Sequence, residues 1–171
     1  MSSEKPFSLK DIFNKKKEKN PRPAIGQYIY PFKHPNPESV PIEDHPVTHA
    51  GPYKGAMDFM VEVGTTVIAA DDGIVVKAET GHTKYGDNPK YKDELNYITI
   101  YHPKTKEYSQ YCHLGKTYVI QYDKVFQGDQ IAKTDLNGYM DNPHLHFFVF
   151  KSQNNKVGFI GLKPNLKPLI L

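Results

Sequence analysis

From Met57 onward, apolar residues recur in short runs that alternate with polar ones at the period of two that sends successive side chains to opposite faces of a strand. Residues 65–70 and 74–78 flank Asp71-Asp72-Gly73, which reads as a tight hairpin turn with its glycine at positive φ. Residues 97–101 and 108–114 flank a second turn at 102–106, and further strands are expected at 130–133, 144–151 and 157–160. The polar stretch between Thr80 and Asn96 is too irregular for a strand and is read as a solvated loop. Short strands, regular turn signals and no long helical period predict an all-β fold, a compact antiparallel sheet or sandwich.

The chain before Met57 has a different grain. Residues 20–52 hold eight prolines, which forbid helix and disfavour a central strand. An extended segment is expected there, packing Tyr28, Ile29, Tyr30 and Phe32 against the domain behind it. Further upstream, Ser8 and Asp11 resemble a helix cap, and Leu9, Ile12 and Phe13 give a short apolar face. The organisation expected is a basic arm with a short helix at 1–20, a proline-rich wrapping segment at 21–46 and one β domain at 47–171.

Composition changes this picture little. Of 171 residues 38% are apolar, enough for a globular core. The net charge of +3 belongs to the arm, where residues 1–20 carry six lysines against Glu4, Asp11 and Glu18. The remainder is balanced, so the basic face of a nucleic-acid binder is not expected. No apolar run approaches the roughly 20 residues needed to span a bilayer, and the start lacks the hydrophobic centre of a secretory signal. Location is therefore unassigned. Cys112, the single cysteine, sits in an alternating apolar pattern and is expected to be a buried structural thiol.

Candidate chemistry concentrates in Pro143-His144-Leu145-His146-Phe147. On a strand His144 and His146 leave the same face, and two buried imidazoles side by side are costly unless something binds them. A catalytic zinc site would take a further nitrogen and an oxygen from elsewhere in the chain and keep one position open. Asp58 interrupts an apolar run between Met57 and Phe59, where an acid is either paired or a ligand. His49 precedes it across a segment that must loop back, with His45 as a reserve candidate. His113 ends the second strand of the second hairpin, where Tyr111 and His113 are expected on one face and Cys112 and Leu114 on the other. His34, His82 and His102 are assigned no role, with a reservation for His82, since the 80–96 stretch stays open as a border of a substrate groove through Tyr85, Asn88 and Tyr91.

These residues fall into five ordered blocks: Asp58-Phe59, the run from Gly64 to Val75, Tyr111-Cys112-His113-Leu114, Gly128-Asp129-Gln130-Ile131-Ala132 and the paired-histidine block. Together they resemble the lysostaphin and LytM type of zinc metallopeptidase over roughly residues 47–151. The resemblance implies a β fold with a groove across the sheet and one zinc ion held by His49, Asp58 and His146. It also implies that zinc-bound water attacks an amide carbonyl in the peptide crosslinks of peptidoglycan, assisted by His113 and His144 in an order the sequence leaves open. It further implies action at the cell envelope or outside the cell. Two departures stand out. The position four residues before Asp58, often histidine in that family, is Lys54, and the glycine-rich run before the histidine pair keeps only Gly138. Two other readings stay open: a catalytically silent relative that binds wall peptide or a protein partner, and a phosphoryl carrier like the glucose-specific carrier domain of the sugar phosphotransferase system. Asp58 speaks against the carrier, because a carboxylate would repel a phosphohistidine.

Overall fold

A computed structural model of the protein describes residues 20–153 and 158–170. The short helix expected in the arm, and Val157 at the start of the last expected strand, lie outside them. The described residues hold no α-helix, only three 3-10 turns, and no helix long and apolar enough to cross a membrane. The strands are β1 (Arg22–Pro23), β2 (Ile42–Glu43), β3 (Met57–Phe59), β4 (Thr66–Ile68), β5 (Gly73–Glu79), β6 (Tyr85–Gly86) and β7 (Tyr97–His102). They continue with β8 (Glu107–Cys112), β9 (Leu114–Thr117), β10 (Lys124–Val125), β11 (Gln130–Thr134), β12 (Gly138–Tyr139), β13 (Leu145–Ser152) and β14 (Phe159–Lys163).

The principal sheet runs β1-β14-β13-β8-β7-β5-β10, antiparallel throughout except for β1 on β14, with β2 and β3 joined to it at β13. A second sheet, β4-β11-β9, packs with it, and β12 pairs in parallel with β6. Register decides which side chains enter the core. Phe147 on β13 lies opposite Tyr111 on β8, and Tyr111 opposite Ile98 on β7; all three are fully buried with Val67, Ile131 and Leu114. One residue along, His146, Cys112 and Tyr97 line up on the other face. A slip of one residue would exchange core and site, and burial of the Phe147 row prevents it.

The second hairpin forms as expected, with His102 opposite Glu107. The first does not. Residues 66–68 pair with β11, not β5, so Asp71-Asp72-Gly73 carries the chain from one sheet to the other. Gly73 is also not in the positive-φ region. It is needed for close approach, since a Cβ there would lie 2.5 Å from the Tyr101 carbonyl oxygen.

Residues 24–33 run extended along the domain. Tyr28, Ile29 and Phe32 are buried in the core, and Ile29 N–H donates to the Ala70 carbonyl at 2.9 Å. Glu107, almost wholly buried, accepts from the N–H groups of Ile25 and Gly26 and from the Tyr28 hydroxyl. His102 is buried as well, its ring nitrogens 2.8 Å from the Asp72 carbonyl and from Ser109 Oγ. Burial depresses its pKa, which suits a neutral structural ring.

Candidate metal centre

Asp58 sits at the middle of β3 directly opposite His146 on β13, so the two side chains share the face turned away from the core. Asp58 Oδ1 lies 2.8 Å from His146 Nδ1, 3.2 Å from His49 Nε2 and 3.7 Å from His144 Nε2. One ligand atom each from His49, Asp58 and His146 falls within 4.8 Å of the others. His49 arrives from the loop after β2, just ahead of the 3-10 turn Gly51–Tyr53, with its N–H bonded to the His45 carbonyl. Asp44 Oδ1 stands 2.8 Å from His49 Nδ1. The His45 N–H points at the same Nδ1 from 3.2 Å, and the ring turns its Nε2 toward Asp58.

The fit to a cation rests on His49 Nε2. Among the described residues it is the one buried side-chain nitrogen or oxygen with no hydrogen-bond partner, a costly state that coordination relieves. Two imidazole nitrogens and a carboxylate oxygen around one point suit a divalent zinc-like ion with an open position. The charges agree. Burial pushes the Asp58 carboxyl upward, but the hydrogen bond with His146 and the neighbouring His49 imidazole outweigh it and hold the group well below the usual carboxylate range. Burial also lowers His49, yet the carboxylates of Asp58 and Asp44 beside it carry it above the ordinary histidine value.

His113 and His144 stand beside this cluster with ring centroids 4.5 Å apart, and His113 is 6.4 Å from His146. His113 Nδ1–H donates to the Asn137 carbonyl at 2.7 Å and His144 Nδ1–H to the Asn142 carbonyl at 2.8 Å. A carbonyl can only accept, so in the neutral form of either ring the lone pair is on Nε2. Burial, reinforced by the neighbouring His144, pushes His113 down to about 3, which leaves it unprotonated at neutral pH. His113 does not continue the strand alternation. It sits between β8 and β9 at φ 63°, a conformation side chains rarely adopt and one that collects at functional sites. The kink separates it from Tyr111, whose hydroxyl is in the core accepting from Ala70 N–H at 2.8 Å.

The cluster opens into a cleft of about 510 Å³. One wall comes from residues 43–48, the other from Asp87, Lys92 and Leu95, and Tyr97 and Cys112 form part of the floor. The 80–96 stretch is therefore more than a solvated loop: it contributes β6 and one side of the cleft. His45 borders the cleft, but its Nδ1 accepts from Thr48 N–H at 3.3 Å and its ring packs edge-on against Tyr139, outside the His49–Asp58–His146 cluster. Cys112 is buried, and burial pushes its thiol upward. Asp44, Asn137 and Asn142 carry no signal in the sequence pattern, because each acts through a contact that only folding creates.

The chain matches the family described as Peptidase family M23 over residues 52–158. Asp58, His113, His144 and His146 lie inside that span, and His49 lies just ahead of it. The chain is 35% identical over 104 residues to the peptidoglycan DD-endopeptidase ShyA of Vibrio cholerae, covering 60% of this chain and 21% of that protein. Among solved structures, the catalytic domain of the antimicrobial peptidase lysostaphin from Staphylococcus simulans is 26% identical with a TM-score of 0.54, covering 72% of this chain and 90% of that one. A zinc-containing peptidase from Vibrio cholerae is also 26% identical, with a TM-score of 0.52, over 72% of this chain and 36% of that one. Against the first curated relatives the match spans between 20% and 32% of their length.

Proposed function

The chain belongs to peptidase family M23, and from that membership we propose that it is a zinc-dependent endopeptidase that hydrolyses amide bonds in the peptide crosslinks of peptidoglycan. The observation that carries the reading is the convergence of His49, Asp58 and His146 on one point, with two further buried imidazoles lining the same cleft. His49, Asp58 and His146 would hold the ion. When bound, it supplies Lewis-acid polarisation of the scissile carbonyl and acidifies water.

The protein's own groups manage the protons. His113 and His144 each fix Nδ1–H on a main-chain carbonyl, so Nε2 is the atom with which either ring can take a proton from the attacking water. The same Nε2–H can then pass to the leaving amine, which closes the proton balance of amide hydrolysis. The buried, narrow setting keeps both rings within reach of the reacting atoms and limits competing water.

The test is incubation with purified peptidoglycan, reading released fragments by mass spectrometry. Cleavage that is abolished by a chelator, restored by zinc and reduced at least about 100-fold in His113→Ala supports the proposal. Metal-loaded protein that binds the wall without cutting it would replace it with the silent-binder reading.

A further inference from the structure

Two buried asparagines that do not line the cleft lie behind the His113 imidazole. Asn137 is fully buried and Asn96 is 4% exposed. The Asn137 carbonyl receives the His113 Nδ1–H, so whatever holds that carbonyl sets the tautomer and direction of the ring. The Asn137 side chain does this: its Oδ1 accepts from Asn96 N–H at 2.8 Å and its Nδ2 donates to the Leu114 carbonyl at 2.9 Å. Asn96 continues the connection. Its Nδ2 donates to the carbonyls of His82 and Leu114, both at 2.8 Å, and its Oδ1 accepts from His82 N–H at 2.9 Å.

His82 and Asn96 are the two ends of the loop whose residues Asp87, Lys92 and Leu95 form one cleft wall. The same loop meets the turn after Asn137 through β6 and β12. There Gly138, at φ 82°, packs so closely that a Cβ would stand 2.9 Å from Leu95 Cδ1. His113 is gripped from both sides, since its own carbonyl accepts from Asp135 N–H at 2.9 Å. Every polar atom of the two amides is spent within this network and none on the cleft, which is an expensive arrangement to bury unless the position it fixes matters.

We infer that Asn96 and Asn137 are positioning residues for His113, and that they fasten the 82–95 wall of the cleft to that imidazole so that wall and base move as one unit. The inference rests on the reading of His113 as a proton-transferring group. Its mechanism is geometric: with the Asn137 amide removed, the carbonyl loses its anchor, the ring can turn or exchange tautomers, and Nε2 no longer faces the reacting atoms. A misplacement of about 1 Å is enough to cost on the order of 100-fold in rate.

The experiment uses the full chain loaded with zinc, as wild type, Asn137→Ala and Asn96→Ala. In steady-state cleavage of a soluble wall peptide, both variants should lower kcat about 10- to 100-fold, with KM within about threefold and one zinc per chain retained. Side-chain 15N spectra of histidine-labelled protein give a second reading that needs neither activity nor a variant. Wild-type His113 should be in the Nδ1–H tautomer, and both substitutions should shift its signals while those of His102 stay in place. A purely architectural pair would lower stability yet leave kcat and the His113 spectrum of the folded protein unchanged, and that result overturns the inference, as does wild-type His113 in the Nε2–H form. A wild type that fails to cleave peptide refutes the endopeptidase reading alone, because the spectra still decide this one.

Discussion

Replacing His113 by glutamine should reverse part of the protein's acid sensitivity. The side chain is buried, and burial with the adjacent His144 pushes its pKa down to about 3, whereas an unfolded chain holds histidine near 6.5. As pH falls through about 6.5 the unfolded state takes up a proton here and the folded state does not, so the contribution to stability is complete above that value and is lost progressively below it. Integrating the unfolded-state uptake gives a loss of about 0.7 kcal/mol from pH 7 to pH 6 and about 2 kcal/mol from pH 7 to pH 5. A cation at the neighbouring site would depress His113 further and leave this window unchanged, because the unfolded value sets it. His113→Gln removes the titration and keeps an amide donor for the Asn137 carbonyl. Urea unfolding of both proteins at pH 7, 6 and 5, at one fixed zinc concentration, lets acid release of metal cancel between them. The stability gap should move by about 2 kcal/mol in favour of the variant between pH 7 and pH 5. A change below about 0.5 kcal/mol, or one in favour of the wild type, would refute the claim that His113 is held neutral by burial.

Two further substitutions probe the support around the site. Asp44→Ala should weaken zinc binding about 10-fold by removing the carboxylate that holds the His49 ring at Nδ1, with Asp44→Asn between the two; a competition titration against a chelator reads this, and unchanged affinity would remove Asp44 from the account. Glu107→Ala strands the N–H groups of Ile25 and Gly26 and the Tyr28 hydroxyl. It should cost about 3 kcal/mol or more in denaturant unfolding while zinc stoichiometry of the folded protein is unchanged.

What the sequence disclosed was local in origin. The His144 and His146 pairing follows from the two-residue repeat carried from β13 to the residue just before it, and the turn at 102–106 lies between strands that pair directly with each other. Asp71-Asp72-Gly73 has equally good turn chemistry, yet the run before it finds a partner in β11, far along the chain; a local signal cannot register that competition. The alternation of Tyr111-Cys112-His113-Leu114 groups His113 with Tyr111, and the backbone breaks that alternation at a positive φ. Asp44, Asn96 and Asn137 stayed invisible for a related reason. Their residue types are ordinary, and their importance comes from bonds to segments the chain brings together only on folding. Between His49 and its reserve His45 the sequence offers only the resemblance, whereas the fold puts the His49 ring beside Asp58 and His146 and packs the His45 ring on Tyr139.

Metal content decides the central claim most directly. Protein purified without added metal, dialysed against dilute zinc and then against buffer, should carry one zinc ion per chain. His49→Ala, Asp58→Ala and His146→Ala, each shown to be folded by its far-ultraviolet spectrum, should carry almost none, while His45→Ala keeps the full complement. Folded wild type without zinc, or a His49 variant that retains it, would contradict the account.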